Sequence, residues 1–179
     1  MRKYFKPVSL LVGVLITCSM LLGFFVMSTP VSASTGDFFS SKITVTQGQI
    51  SSGNAASLSS KDGSYLTIKS INSSGYNYVD WITEFTLPSS RVSSLSLSYS
   101  GKYSTWRSQY IYLYNYSTSN WYRIDYRTIG AAIVNINLSS IANPTNFVSS
   151  TGKMQVRLYS MSSASFSAYT DLLKLRVAY

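Results

Sequence analysis

The segment between Gln109 and Arg127 is rich in aromatic and charged side chains, whose types and spacing suggest a binding or catalytic role. Their alternation predicts two β-strands joined by a turn at residues 117–120, because successive side chains of a strand point to opposite faces. If Tyr116 pairs with Trp121 across the turn, one face of this hairpin carries Tyr110, Tyr112, Tyr114, Tyr116, Trp121, Arg123, Asp125 and Arg127. The other face, which we expect to be the core side, carries Ile111, Leu113, Ile124 and Tyr126. A one-residue slip in pairing would exchange these partners.

Aromatic rings of this kind pack against the apolar faces of sugar rings, and Arg and Asp can hold hydroxyl groups by directed hydrogen bonds. The outer face of the hairpin is therefore a candidate ligand-binding surface for carbohydrate. Trp106, in the segment before the hairpin, is expected to extend this surface as an exposed anchor. Two alternatives remain open: the tyrosine pairs only stabilise the sheet, or the face packs against another protein or a second copy of the chain.

Several kinds of catalysis are excluded by composition. The sequence has no histidine, and its single cysteine, Cys18, lies in the apolar N-terminal segment. Ser-His-Asp and Cys-His mechanisms and the usual zinc sites therefore lack their residues. A glycosidase needs two carboxylates roughly 5 to 10 Å apart, whereas Asp80 and Glu84 are expected about 13 Å apart along one strand face. We expect a protein that is not an enzyme.

The N-terminus has the pattern of a secretory signal peptide. Basic residues Arg2, Lys3 and Lys6 precede an apolar run over about residues 8–27, and Val31 and Ala33 suit cleavage ahead of Ser34. Residues 1–33 are thus predicted to be removed, leaving no membrane span and a secreted, extracellular and wall-associated protein. A run of about 20 apolar residues could instead remain as a membrane anchor.

The charge of the chain also bears on its partners. The sequence has 15 basic and six acidic residues, and the predicted cleavage removes three of the basic ones and no acidic one. The remaining positive charge favours polyanions such as anionic cell-wall polymers, or it only keeps a serine-rich surface soluble. Single-stranded nucleic acid could also stack on aromatic and basic side chains, but secretion argues against that partner.

The rest of the chain predicts strands and turns without an amphipathic helix. Residues 34–41 are expected to be a flexible lead, and residues 42–179 a β-sandwich domain of about eight or nine short strands. Trp81 alternates with other core positions, and Leu95, Leu97 and Tyr99 alternate with serines, as in a half-exposed antiparallel strand. We predict an all-β fold, an antiparallel β-sandwich with jelly-roll rather than immunoglobulin-like topology.

Three groups of residues support a family resemblance: 62–66 (DGSYL), 112–116 (YLYNY) through Asn120 and Trp121, and 156–158 (VRL) with 171–173 (DLL). In these the chain resembles secreted bacterial β-sandwich modules of the galactose-binding-like and other carbohydrate-binding jelly-roll kind. The resemblance implies a carbohydrate partner and a structural Ca²⁺ site near the chain ends at Asp62 and Asp171; apart from that calcium we expect no cofactor. Calcium takes six to eight oxygen ligands; the alternative for these aspartates is an ion pair with Arg157 or Lys61.

Overall fold

The computed structural model describes residues 33–179, which form β-strands joined by turns and two short 3₁₀ helices, Ala55–Leu58 and Pro144–Phe147. In chain order the strands are β1 (Thr35–Phe39), β2 (Lys42–Gln47), β3 (Gln49–Ser52), β4 (Leu66–Lys69), β5 (Ile71–Ser73), β6 (Tyr76–Thr86), β7 (Ser94–Tyr103), β8 (Arg107–Asn115), β9 (Asn120–Ile129), β10 (Val134–Leu138), β11 (Lys153–Ser162) and β12 (Ser167–Ala178). Within these residues no helix is long and apolar enough to cross a membrane.

The strands form two antiparallel sheets. Sheet 1 has the order β10-β7-β12-β4-β3, with β1 also paired to β12, and sheet 2 has the order β2-β6-β11-β8-β9, with β5 also paired to β6. Eight of these strands make two four-stranded layers, β10-β7-β12-β4 and β6-β11-β8-β9. The chain crosses between the layers as in a jelly roll. The predicted antiparallel β-sandwich is confirmed.

The core lies between the two sheets and follows from the alternation of each strand. Trp81, Tyr99 and Phe85 are its largest fully buried side chains, and Leu95 and Leu97 are also buried. Since the inward residues alternate with outward ones, β6, β8 and β11 each expose a second row of side chains on the outer face of sheet 2.

The predicted flexible lead at residues 34–41 is wrong, because most of it forms β1. Thr35–Phe39 pairs with the end of β12, and Ser34 and Tyr179 exchange backbone hydrogen bonds of 2.9 Å in both directions. The ring of Phe38 lies 6.0 Å from that of Tyr179 and packs on the core. Phe38 thus supplies the apolar contact that fixes this segment to the sandwich. The predicted signal peptide, apart from Ala33, lies outside the described residues.

Candidate functional site

The outer face of sheet 2 carries a band of aromatic side chains that runs across four adjacent strands. We call this band the aromatic face; its members are Tyr78 on β6, Tyr159 on β11, Tyr110, Tyr112 and Tyr114 on β8, and Trp121 and Tyr126 on β9. Neighbouring strands lie about 4.8 Å apart, so the rings can touch from strand to strand. The ring centroid of Tyr110 lies 4.7 Å from that of Tyr126 and 5.7 Å from that of Tyr159. The centroids of Tyr114 and Trp121 are 5.3 Å apart.

The register of the hairpin differs from the predicted one. Asn115 pairs with Asn120 and Tyr114 with Trp121, so Tyr116 belongs to the turn and not to a strand pair. The cause is the side chain of Asn115, whose Oδ1 accepts hydrogen bonds from the backbone N–H groups of Ser117 and Thr118 at 2.9 and 3.1 Å. This closes the turn one residue earlier in β8. The ring of Tyr116 still packs edge-on against Tyr114 at 4.9 Å.

A β-bulge in β9 then changes which side chains reach the outer face. Ile111 pairs with Asp125 and Tyr112 with Arg123, so Ile124 has no partner of its own. Because an extra residue reverses the alternation beyond it, Tyr126 lies on the aromatic face beside Tyr110. The predicted positions of Asp125 and Arg127 on that face, and of Tyr126 on the core side, are wrong.

Asp125 and Arg127 instead bind each other on the inner side of β9. The Nε and Nη2 of Arg127 donate to the two carboxylate oxygens of Asp125 at 2.8 and 2.6 Å. The hydrogen bond to Asp125 raises the pKa of Arg127. Asp125 and Arg127 are therefore paired with each other on the side of β9 that faces away from the aromatic face.

At the centre of the aromatic face lies an ion pair that joins β11 to β6. The Nε and Nη2 of Arg157 donate to the two oxygens of Asp80 at 2.8 and 2.7 Å, and this hydrogen bonding raises the pKa of Arg157. The guanidinium carbon lies 5.6 Å from the ring centroid of Tyr159, 5.8 Å from Tyr112 and 5.9 Å from Trp121. Since a guanidinium has five N–H donors and two are used here, three remain for a ligand. Arg157 and Asp80 are the site residues that sequence reasoning missed.

One end of the aromatic face is closed by a second charged group. The carboxylate of Glu84 accepts from Nε2 of Gln155 at 3.0 Å and lies 3.1 Å from Nζ of Lys153. Burial opposes ionisation of Glu84, but these hydrogen bonds and the charge of Lys153 lower its pKa overall. Burial, with the charge of Glu84 nearby, raises the pKa of Tyr116 to about 12.

Trp106 lies apart from this band, in the turn between β7 and β8. The residue is 70% exposed, and its indole ring rests against Gly130, where a β-carbon would collide with the ring. Among residues 33–179 its ring has no aromatic partner. Trp106 is thus an exposed aromatic, as predicted from the sequence, but the described structure does not join it to the aromatic face.

Asp62 and Asp171 hold a loop together. The backbone N–H of Gly63 donates to Asp171 at 3.0 Å, and Asp62 accepts from Ser60 and from the backbone of Ser64. The alternative pairing with Arg157 is wrong, because Arg157 binds Asp80. Residues 33–179 contain no group of three or more His, Cys, Asp or Glu side chains that could hold a metal, and calcium at Asp62 and Asp171 stays a prediction.

On the far side of β9 from the aromatic face lies a cleft of about 560 Å³. It opens between β9 and β10, the last strands of their sheets, and residues of the loop after β10 line it. Its lining includes the ring of Tyr122, which packs 5.9 Å from Phe147, and the asparagines Asn115, Asn137, Asn143 and Asn146. We call it the edge cleft.

No family model matches the chain, and no curated protein matches it by sequence. Among solved structures, a family 61 carbohydrate-binding module in complex with β-1,4-galactotriose is 10% identical, with a TM-score of 0.48 over 75% of this chain and 86% of that one. A family 11 carbohydrate-binding module from a cellulosomal cellulase of Clostridium thermocellum is 14% identical, with a TM-score of 0.43 over 79% and 86%. The enzymatically active domain of tailspike protein 4 of bacteriophage CBA120 is 12% identical, with a TM-score of 0.42 over 82% of this chain and 19% of that one.

Proposed function

We propose that this protein is a secreted, non-enzymatic module that binds polysaccharide across the aromatic face of sheet 2. The observation that carries the proposal is the guanidinium of Arg157, held by Asp80 among the rings of Tyr112, Trp121 and Tyr159. Tyrosine rings whose only role is to stabilise a sheet would not need a guanidinium group held among them. Flat rings offer apolar contact to sugar faces, and the three free N–H groups of Arg157 offer donors to hydroxyl oxygens.

The charges of the face favour a neutral polysaccharide over an anionic wall polymer. Arg157 is paired with Asp80, and Lys153 with Glu84, so two of its cations are compensated within the protein. A polyanion would have to compete with these carboxylates at short range. We therefore expect the rings rather than the net charge to set affinity, and the affinity to change little with salt.

The pairing of the two carboxyl groups of this face with cations is also consistent with a binding role. Glu84 and Asp80 lie on the same strand face, as predicted, and both are engaged with cations. The lowered pKa of Glu84 makes it a poor proton donor at neutral pH. The secreted and wall-associated location of the protein is proposed from the signal-peptide pattern alone.

The test is a pull-down of the purified protein on insoluble polysaccharides and on purified cell wall, at low and high salt. The variants are Tyr112→Ala and Trp121→Ala. The matched control is Tyr169→Ala, which removes one ring of the Tyr65–Tyr169 pair, 6.1 Å apart, on the outer side of sheet 1. We expect salt-resistant binding that falls tenfold or more in the first two variants, in the range of aromatic hot spots, and is unchanged in the control.

Two results would contradict the proposal. Binding that disappears at high salt and ignores both variants would mean that net charge alone is responsible. No binding to any polysaccharide, together with concentration-dependent association that Tyr112→Ala or Trp121→Ala abolishes, would instead support the alternative of a protein-interaction face.

A further inference from the structure

The edge cleft has the chemistry of a small site for a neutral, hydroxyl-rich ligand. Tyr122 is 59% exposed, while its ring packs against Phe147. Arg123 is the only charged residue of the lining, and no carboxylate contributes to it. An exposed ring surrounded by carboxamides offers one apolar surface and several donors and acceptors. This combination suits a sugar better than an ion or an apolar group.

Two of the carboxamides are already oriented. Oδ1 of Asn115 accepts from the backbone of Ser117 and Thr118, and Oδ1 of Asn146 accepts from the hydroxyl of Ser117 at 3.2 Å. Because the oxygens of these two side chains are engaged, their NH₂ groups are directed elsewhere. Within residues 33–179 neither NH₂ group donates a hydrogen bond to the protein. Each therefore has two N–H donors available to a ligand.

The edge cleft and the aromatic face share a single wall, β9. Successive side chains of a strand point to opposite sides, so Trp121 lies on the aromatic face and Tyr122 in the cleft. β9 is the last strand of sheet 2, and in the described structure no further strand stands beside it. Arg123 contributes to the cleft lining, and its guanidinium lies 5.8 Å from the ring of Tyr126 on the face. A group attached to a chain on the face can therefore reach the cleft by passing over the sheet edge.

The size of the cleft limits what can enter it. Its volume of about 560 Å³ falls in the range of small-molecule sites, roughly 300 to 1,000 Å³. Residues of the loop after β10 form its far wall, so we expect it to admit a short substituent rather than a continuing polymer. We propose that the edge cleft binds the side-chain sugar of a branched neutral polysaccharide whose main chain lies on the aromatic face. This inference rests on the proposed function.

The test compares branched and linear ligands that share a main chain: xyloglucan with cellohexaose, galactomannan with mannohexaose, and arabinoxylan with xylohexaose. Affinities of the unmodified protein, Tyr122→Ala and Tyr112→Ala are measured by titration calorimetry. In one pair we expect the unmodified protein to bind the branched ligand about tenfold more tightly. Tyr122→Ala should remove this preference and keep the linear affinity, whereas Tyr112→Ala should lower both affinities.

Asn137→Ala is a second variant, since Asn137 also lines the cleft and is exposed; it should reduce the preference without affecting folding. Equal binding of branched and linear ligands by the unmodified protein in every pair would overturn the inference, as would a preference that survives Tyr122→Ala. Both results leave the proposed function intact if Tyr112→Ala still weakens binding. Loss of linear and branched binding alike in Tyr122→Ala would overturn the branch-specific role of the cleft.

Discussion

The outer faces of the two sheets are built from the same alternation but differ in how firmly their side chains are held. On sheet 1 the outward residues of β7 are mostly serines, with Lys102 over the rings of Tyr65 and Tyr169. Lys174 and Arg176 of β12 share one exposed carboxylate, Asp37, at 2.9 and 3.5 Å. On sheet 2 the rings contact one another, and Arg157 is bound by two hydrogen bonds to Asp80, whose side chain is 7% exposed. Sheet 2 therefore presents side chains that are ordered before any ligand arrives.

This difference matters because a ligand must otherwise supply the free energy that orders the side chains it touches. Immobilising a flexible side chain on binding costs about 0.5 to 1.5 kcal/mol. The long charged side chains on sheet 1 would incur this cost, whereas the rings of sheet 2 contact one another and have less freedom to lose. Preorganisation, more than composition alone, distinguishes the candidate site from the opposite surface of the same sandwich.

The largest expected effect comes from breaking the central ion pair. Arg157→Ala leaves the carboxylate of Asp80 largely buried without its cation, so we expect the free energy of unfolding to fall by about 2 to 4 kcal/mol. Removing Asp37 from sheet 1 should cost about 1 kcal/mol or less, since this carboxylate is itself exposed to solvent. Urea unfolding of Arg157→Ala and Asp37→Ala at neutral pH measures both values. Equal losses would show that the two faces do not differ in this way.

A smaller effect is expected at high pH from Tyr116, at the end of the aromatic face. Its hydroxyl is buried and has no hydrogen-bond partner among residues 33–179, and its pKa is raised from 10.0 to about 12. Because the folded state has the higher pKa, the stabilisation is complete below pH 10 and is lost as pH rises through 12. Tyr116→Phe should therefore lose less stability than the unmodified protein between these pH values.

Guanidinium unfolding at neutral pH and across that alkaline range checks this expectation. Other buried tyrosines, including Tyr99 and Tyr103, also have raised pKa values, but they are present in both proteins and cancel in the difference. At neutral pH Tyr116→Phe should be no less stable, because it removes an unsatisfied polar group. An identical alkaline loss in the two proteins would contradict the assignment.

Alternation along single strands was enough to predict the sandwich and the outward direction of Tyr110, Tyr112 and Tyr114. It could not predict Arg157 and Asp80 as partners, because they meet only through the order β6-β11-β8 of sheet 2, and that order depends on the packing of the whole chain. The bulge at Ile124 is a local feature of the backbone that no apolar pattern in β9 reveals. It exchanged Tyr126 for Asp125 and Arg127 on the outer face.

The edge cleft was missed for a related reason. Its asparagines come from the end of β8, from β10 and from the loop after β10, and in the sequence each is an ordinary turn or surface residue. Their convergence requires β9 and β10 to be the edge strands of opposite sheets. These asparagines are uninformative one at a time, and only the order of the strands in the two sheets brings them together as a candidate site.

The smallest expected effect tests whether Glu84 belongs to the preorganised face. Gln155 and Lys153 lower its pKa from 4.5 in spite of partial burial, so its contribution to stability is complete above pH 4.5 and is lost as pH falls through the lower folded value. Glu84→Gln should lose less stability than the unmodified protein on acidification from about pH 5 to pH 3. Lys153→Met, which removes the cation at 3.1 Å, should show a smaller change in the same direction. Urea midpoints at several pH values measure these differences. If both variants lose as much stability on acidification as the unmodified protein does, Glu84 is solvated like the charges of sheet 1.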